Sequence, residues 1–340
     1  MVNKINWGVL GASGIAIDQV IPAIQQSRLG QVVALGSRDV NKATKAARDC
    51  GIERVHGSYE SVLADQAVDV VYIPLPNSLH VEWIVKAAEA GKHVLCEKPI
   101  TMTASEAEIA VAASARYGVK LMEGFMYRFH PQTRRVQELL AASTIGKVKE
   151  VRAHLSVDIM STPDPHNVRF QPALGGGSLY DMGCYAVNAA RMVFNAEPKR
   201  AFVHFEMDQK FNVDRNAHGI LEFDDGTAFI SSGFDANGQG FYSITGTKGV
   251  IDVPRGLLPG LGTRAAEALI VIIDADGYRK EEHLAPVNQY GLMADAFCEA
   301  IIGDKEPLLP PKDSINNMNV LDALFRSAKS QTFEPVARQV

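Results

Sequence analysis

Cysteine is scarce in this chain. Its 340 residues hold four, Cys50, Cys96, Cys184 and Cys298, far apart and in neither a CxxC nor a Cys/His metal spacing. That pattern argues for free thiols over disulfides or zinc, with Cys96 and Cys184 as small buried filler. No block of Lys and Arg stands out either, and the formal net charge is −5, so no nucleic-acid partner is expected. No apolar run is long enough to span a bilayer, and Met1 to Gly14 leads into a strand and a glycine turn rather than a secretory core, which points to the cytoplasm. Repeats, coiled-coil heptads and low-complexity segments are missing as well. What remains, 46% hydrophobic and 21% charged residues, describes an ordinary globular chain long enough for about two domains.

The first half alternates strands with helices. Ile5 to Leu10 reads as an apolar strand, followed by Gly11-Ala12-Ser13-Gly14-Ile15-Ala16 and a helical pattern through Val20, Ile21 and Ile24. Against GxGxxG/A, Gly11 fills the first position and Ala16 the third, while Ser13 replaces the second glycine with a hydroxyl that can donate to phosphate. A turn of this kind lets backbone N–H groups approach a pyrophosphate at a helix N-terminus. By itself the motif is weak, and a structural glycine turn is an equal reading. The second strand, Gln31 to Leu35, ends in Gly36-Ser37-Arg38-Asp39. An NAD site places an acid at this tip for the ribose diol, whereas Arg38 beside Ser37 suits a 2′-phosphate, so the preferred cofactor is NADP, with NAD the alternative. Asp39 reads as the N-cap of the next helix. Further strands are expected at Asp69 to Ile73, His93 to Cys96 and Val119 to Glu123, with helices at about Ser78 to Ala90 and Thr103 to Tyr117. Leu75, Asn77 and His80 then lie at a strand end beside the nicotinamide ribose, although a satisfied structural histidine is as good a reading of His80. Glu97 and Lys98 follow the fourth of these strands and point into the crevice at its carboxyl end, where α/β sheets bind ligands. The Lys98-Pro99 bond is open to either isomer.

After a short helix ending near Ala142 the character changes. Gly146 to Val157 opens a series of strands near 200–208, 241–246, 249–253, 269–274 and 278–284, with a hairpin across Asp225-Gly226. Helices near 289–302 and 312–329 close the chain. The fold class is therefore α/β plus α+β: a doubly wound parallel sheet over residues 1–125, then an open, mostly antiparallel sheet domain over 126–340, onto whose predecessor the closing helices can pack back. Within the second part, Gly175-Gly176-Gly177-Ser178-Leu179-Tyr180-Asp181-Met182-Gly183-Cys184-Tyr185 runs on as a helix to about Phe194. At ~100° per residue, Leu179, Met182, Ala186, Ala189 and Val193 form a packed side. Asp181, Tyr185 and Asn188 gather nearly opposite as a polar stripe, starting beside three glycines that permit close approach of a ligand or backbone.

The N-terminal glycine turn, Glu97-Lys98-Pro99 and the Gly-Gly-Gly-Ser-Leu-Tyr-Asp-Met-Gly-Cys-Tyr stretch together resemble the Gfo/Idh/MocA oxidoreductase family, over nearly the whole chain. Tyr185, where many members carry histidine, and Glu123-Gly124-Phe125-Met126-Tyr127-Arg128-Phe129-His130-Pro131 are similar to the branch of D-xylose dehydrogenase, glucose–fructose oxidoreductase and dihydrodiol dehydrogenase. The resemblance implies a Rossmann domain followed by a sheet domain bearing the sugar site and often the subunit interface, hence a homodimer or larger assembly. It also implies Lys98 as catalytic lysine, Asp181 as substrate-binding aspartate, Tyr185 as acid/base and Arg169 near cofactor or substrate. The expected activity is NADP-dependent hydride transfer with a sugar or polyol, first an aldose oxidised at C1 to a lactone. Reduction of a keto-sugar or oxidation of a trans-dihydrodiol stands second. A non-catalytic sugar- or dinucleotide-sensing regulator is the reading from another class, and the presence of both Lys98 and Tyr185 argues against it.

Overall fold

The computed structural model describes residues 4–238, 240–259 and 267–337, so the first three residues of the expected leading segment lie outside it. Two compact units divide the chain: Met1–Met126 with Asn288–Ile315, and Tyr127–Val287 with Asn316–Val340. The segment 288–315 thus belongs with the first unit, which a single cut at 125/126 does not convey.

The first unit holds β1 (Ile5–Leu10), α1 (Ile21–Gln25), β2 (Gly30–Gly36), α2 (Val40–Cys50), β3 (Arg54–His56), α3 (Tyr59–Leu63), β4 (Val70–Ile73), α4 (His80–Glu89), β5 (His93–Cys96), α5 (Ala104–Arg116) and β6 (Leu121–Glu123). Its six strands are parallel in the order β3-β2-β1-β4-β5-β6. This is the doubly wound sheet read from the sequence. Strands such as β4, buried at all four positions, carry continuous apolar runs because helices cover both faces. The chain reverses direction across the sheet between β1 and β4, and the crevice beyond their carboxyl ends is where such a fold takes its ligand. Local chemistry sets the helix limits. Asp39 caps α2 by accepting the Lys42 N–H at 3.0 Å, and Gly51 closes it at φ 67°. Thr103 caps α5 through the Glu106 N–H, and the Glu106 carboxylate returns to the Met102 N–H. The pair β3 and α3 has no counterpart in the sequence reading, because three and five residues are too short for a periodic signal.

In the second unit, α6 (Pro131–Ala141) leads to β7 (Val148–Ser156), α7 (Cys184–Phe194), β8 (Arg200–Met207), β9 (Asp214–Glu222), β10 (Thr227–Gly233), β11 (Phe241–Gly246), β12 (Gly249–Val253), β13 (Ala268–Asp274) and β14 (Arg279–Leu284). After α8 (Gln289–Ile302) and α9 (Pro311–Ser330), β15 (Glu334–Pro335) joins the sheet, whose order is β14-β13-β12-β11-β7-β10-β9-β8-β15. Among the described strands of this second sheet, only β7 and β10 pair in parallel. Burial alternates along β10, where Ala228, Ile230 and Ser232 are buried while Phe229 is exposed. One face packs and the other is open. Meanwhile α8 is bound into the first unit, with Phe297 against Trp7 at a ring separation of 6.0 Å and Asp295 accepting the Ser27 hydroxyl at 2.6 Å. Among the described residues no helix is long and apolar enough to cross a membrane.

Candidate active site

Each unit holds its own share of the predicted residues. In the first, β1 ends at Gly11, whose φ of 115° favours glycine and whose N–H is held by Gly36 O at 2.8 Å. A β-carbon there would stand 3.1 Å from Leu75 Cδ2, so the turn has no spare room. Ser13 Oγ lies 3.3 Å from the Ala16 N–H and Ser13 O accepts the Ile17 N–H at 3.1 Å, while the Ser13 and Gly14 N–H groups have no protein acceptor among the described residues. Ala16 is fully buried, filling the position where the pattern wants a small residue, and Gly14 is exposed with Ile15 half-buried beside it. The helix then opens with a π-turn over Ala16–Val20. Unpaired N–H groups at a helix start form an anion cradle, which fits a dinucleotide pyrophosphate.

At the end of β2, Ser37 is buried and its hydroxyl accepts the Asp39 N–H at 3.2 Å. Arg38 is exposed and has no ion-pair partner among the described residues. Asp39 is occupied as the α2 cap. The tip therefore offers a free guanidinium and no free carboxylate, a fit to a 2′-phosphate rather than to a bare ribose diol.

Beyond β4 and β5 two of the predicted residues make well-defined bonds within the protein. Leu75 and Asn77 are half-buried in the β4 loop, but His80 is completely buried, with its ring nitrogens 2.8 Å from Leu75 O and 2.9 Å from Pro99 O. Burial lowers its pKa, and both nitrogens are committed, so it ties two loops together, the structural one of the two readings the sequence left open. Glu97 is half-buried: the fully buried Tyr72 donates to its Oε1 at 2.7 Å, and the Lys98 N–H lies 3.3 Å from Oε2. Burial, then the Glu97 charge, holds the Tyr72 phenol well above its usual range. Lys98 itself is half-buried, and its bond to Pro99 is cis. Cys96 is a buried thiol pushed up by desolvation, in keeping with filler.

In the second unit the two-sided helix does not survive. Leu179–Gly183 forms a π-turn before α7, and α7 is buried at nine of its residues, Tyr185, Asn188 and Arg191 included. A π-turn takes one more residue than an α-turn, so it shifts the phase that a uniform 100° wheel assumes. The polar stripe resolves into three separate roles. Asp181 receives Arg169 Nε at 2.5 Å, which places Arg169 beside the aspartate in this unit. Tyr185 is 4% exposed and its ring stands 6.0 Å from that of Tyr127. Asn188, fully buried, accepts the Tyr127 hydroxyl at 2.6 Å and Arg128 Nη1 at 3.1 Å, so it braces the chain and is no wet-face residue. The partners from the Tyr127-Arg128 segment were visible as a motif, yet nothing local could assign them to Asn188. Asp214, which reaches the glycine loop from β9, gave no sequence signal at all. No group of three or more metal-ligating side chains exists among the described residues.

A doubly wound parallel sheet unit and a sheet unit presenting a buried tyrosine and a half-buried aspartate are the architecture of a two-part dinucleotide-dependent enzyme, and likeness to known proteins gives its class. Residues 5–125 match the model for the oxidoreductase family with NAD-binding Rossmann fold, and residues 133–252 match the GFO/IDH/MocA C-terminal domain. The chain belongs to the Gfo/Idh/MocA oxidoreductase family. It is 38% identical over 325 residues, 95% of this chain and 97% of the relative, to D-xylose 1-dehydrogenase (NADP(+)) 2 of Haloferax volcanii. Among solved structures, the aldose–aldose oxidoreductase of Caulobacter crescentus with glycerol superposes at a TM-score of 0.88 with 27% identity, covering 98% of this chain and all of that one. A 3-ketoreductase of Actinomadura kijaniata, solved with NADP and TDP-benzene as a variant with one tyrosine replaced by phenylalanine, gives 0.88 with 30% identity over 96% and 98% of the two chains. That reductase has also been solved with one lysine replaced by alanine.

Proposed function

We propose that this protein is an NADP-dependent dehydrogenase that oxidises the C1 hydroxyl of an aldose to a lactone, with Lys98 and Tyr185 acting on the same substrate. The observation that carries the reading is the state of Tyr185: a phenol 4% exposed, at the head of α7, four residues after an aspartate that is paired with an arginine. NADP, when bound, supplies the hydride acceptor. The chain's own residues then have the proton to manage. A phenol with reference pKa ~10 is a weak base at neutral pH, and a nearby ammonium lowers that value by favouring the anion. Lys98 has this task, and it also stabilises charge developing on the substrate oxygen. Tyr185 takes the hydroxyl proton. Asp181, oriented by Arg169, binds sugar hydroxyls, and burial at Tyr185 keeps bulk water from competing. For cofactor choice, Ser37 and Arg38 take the 2′-phosphate, while the open N–H groups after Gly11 take the pyrophosphate.

The test is turnover of NADP with D-xylose, other aldoses, polyols and trans-dihydrodiols, in wild type, Lys98→Met and Tyr185→Phe, with cofactor affinity measured separately. Full turnover in both variants breaks the scheme. The second reading, reduction of a keto-sugar, draws on the likeness to the 3-ketoreductase, and net oxidation of NADPH with a ketose would favour it. Self-association is assigned to the open face of the second sheet, where Phe229 and Phe241 are 41% and 39% exposed. Four free cysteines fit the reducing cytoplasm.

A further inference from the structure

The helix that carries Asp181 and Tyr185 begins without a cap of its own. Ser178 occupies the N-cap position with helical φ and ψ of −70° and −30°, and its side chain bonds to none of the helix's first N–H groups. Those groups have no intrahelical acceptor and, when buried, need one from elsewhere. It comes from β9. Asp214 Oδ2 accepts the Leu179 N–H at 2.6 Å and the Ser178 hydroxyl at 3.0 Å, and the same hydroxyl lies 3.1 Å from that of Ser232. Asp214 is 4% exposed and has no ion-pair partner among the described residues. Its other oxygen occupies the space beside Gly177, where φ is 112° and any β-carbon would collide with it. The third glycine of the motif is therefore there to admit this carboxylate.

We propose that Asp214 is a positioning residue: a carboxyl cap, delivered from another strand, that fixes the first turn of the helix bearing Asp181 and Tyr185. The inference rests on the reading of Tyr185 as acid/base. The capped residues open the π-turn, which closes through the Cys184 N–H on Leu179 O. If that turn relaxed to α pairing, every downstream side chain would rotate by ~100° about the helix axis. Tyr185 would then point elsewhere. Burial pushes the Asp214 carboxyl up to about 7 against the pull of its N–H and hydroxyl donors, and its oxygens accept in either protonation state.

Hydrogen exchange on the full-length chain tests the cap without needing a substrate. In Asp214→Ala, amides of residues 179–185 should exchange roughly fivefold to tenfold faster than in wild type, as loss of a helix cap predicts. Asp214→Asn, which keeps an acceptor, should stay within about threefold of wild type. Unchanged protection in Asp214→Ala, or exchange in Asp214→Asn as fast as in Asp214→Ala, overturns the proposal. Should Asp214→Ala fail to fold, Ser178→Ala takes its place, with an expected rise of about threefold and unchanged protection as the overturning result. Turnover supplies the functional arm. The alanine variant should lose about tenfold in kcat with little change in KM, and should lose nothing further when combined with Tyr185→Phe. Multiplicative losses in the double variant contradict action through Tyr185. Full turnover in Tyr185→Phe alone fells the acid/base reading instead, and the exchange result still decides whether Asp214 caps the helix.

Discussion

Two glycine turns lead into two helices, and the two are alike in backbone but opposite in what they do with their N–H groups. Gly11 and Gly177 have φ of 115° and 112°, and each turn runs into a π-turn, Ala16–Val20 in one unit and Leu179–Gly183 in the other. After Gly11, the Ser13 and Gly14 N–H groups have no protein acceptor among the described residues. After Gly177, the Leu179 N–H is bound to Asp214. The first turn keeps its donors for an anionic ligand. The second gives its Leu179 donor to an internal carboxylate, so this donor is not open to a ligand. A glycine-rich helix start thus has no single meaning, and its function depends on whether the protein itself supplies the anion.

The largest effect that would sharpen this contrast is chemical. Tyr185→Phe should lower kcat by about 10²–10⁴ while leaving NADP affinity within about twofold, as removal of an acid/base group predicts, and steady-state kinetics with fluorescence titration checks it. The glycines come next. Gly177→Ala combines backbone strain of about 1–3 kcal/mol with displacement of Asp214, and should reduce thermal stability and kcat together. Gly11→Ala carries similar strain but crowds only the end of the Leu75 side chain, with Tyr59 Oη at ordinary contact distance, so it should weaken NADP binding more than it lowers the melting temperature. Equal profiles for the two variants would erase the distinction.

A titration of stability probes the second turn from another side. The Asp214 carboxyl holds its proton up to about 7 in the folded chain, against 3.8 for the free group. The stability it contributes is fully present below about pH 4 and is lost as pH rises through 7, an effect of roughly 4 kcal/mol at most. Asp214→Asn should therefore gain on wild type between pH 4 and 8 in denaturant melts. The smallest predicted change is in cofactor choice. Arg38→Asp should cost NADP about 2 kcal/mol of affinity, roughly thirtyfold, and leave NAD far less affected.

How far the sequence alone could go follows from the range of each interaction. The alternation of apolar runs gave the parallel sheet, and Asp39 as an α2 cap was legible because its partner, Lys42, is three residues away. Asp225-Gly226 marked the hairpin between β9 and β10 for the same local reason. Where partners are distant the reading failed. Asn188 was grouped into one polar stripe with Asp181 and Tyr185 because nothing near it in sequence announces Tyr127, 61 residues earlier, and the π-turn at Leu179–Gly183 falsified a wheel drawn with one constant angle. For His80 the sequence left a ligand-facing and a structural role equally open, and the bonds to Leu75 O and Pro99 O that favour the second are set by the tertiary fold, as is the Tyr72 bond to Glu97.

The most direct test of the account is the appearance of NADPH when the purified chain is mixed with NADP and an aldose, with D-xylose first, run beside Tyr185→Phe. The account predicts sustained, aldose-dependent formation of NADPH by wild type and a loss of at least about a hundredfold in the variant. Formation at the same rate by both proteins, or none by wild type with any aldose, ketose, polyol or dihydrodiol in either direction, would contradict it.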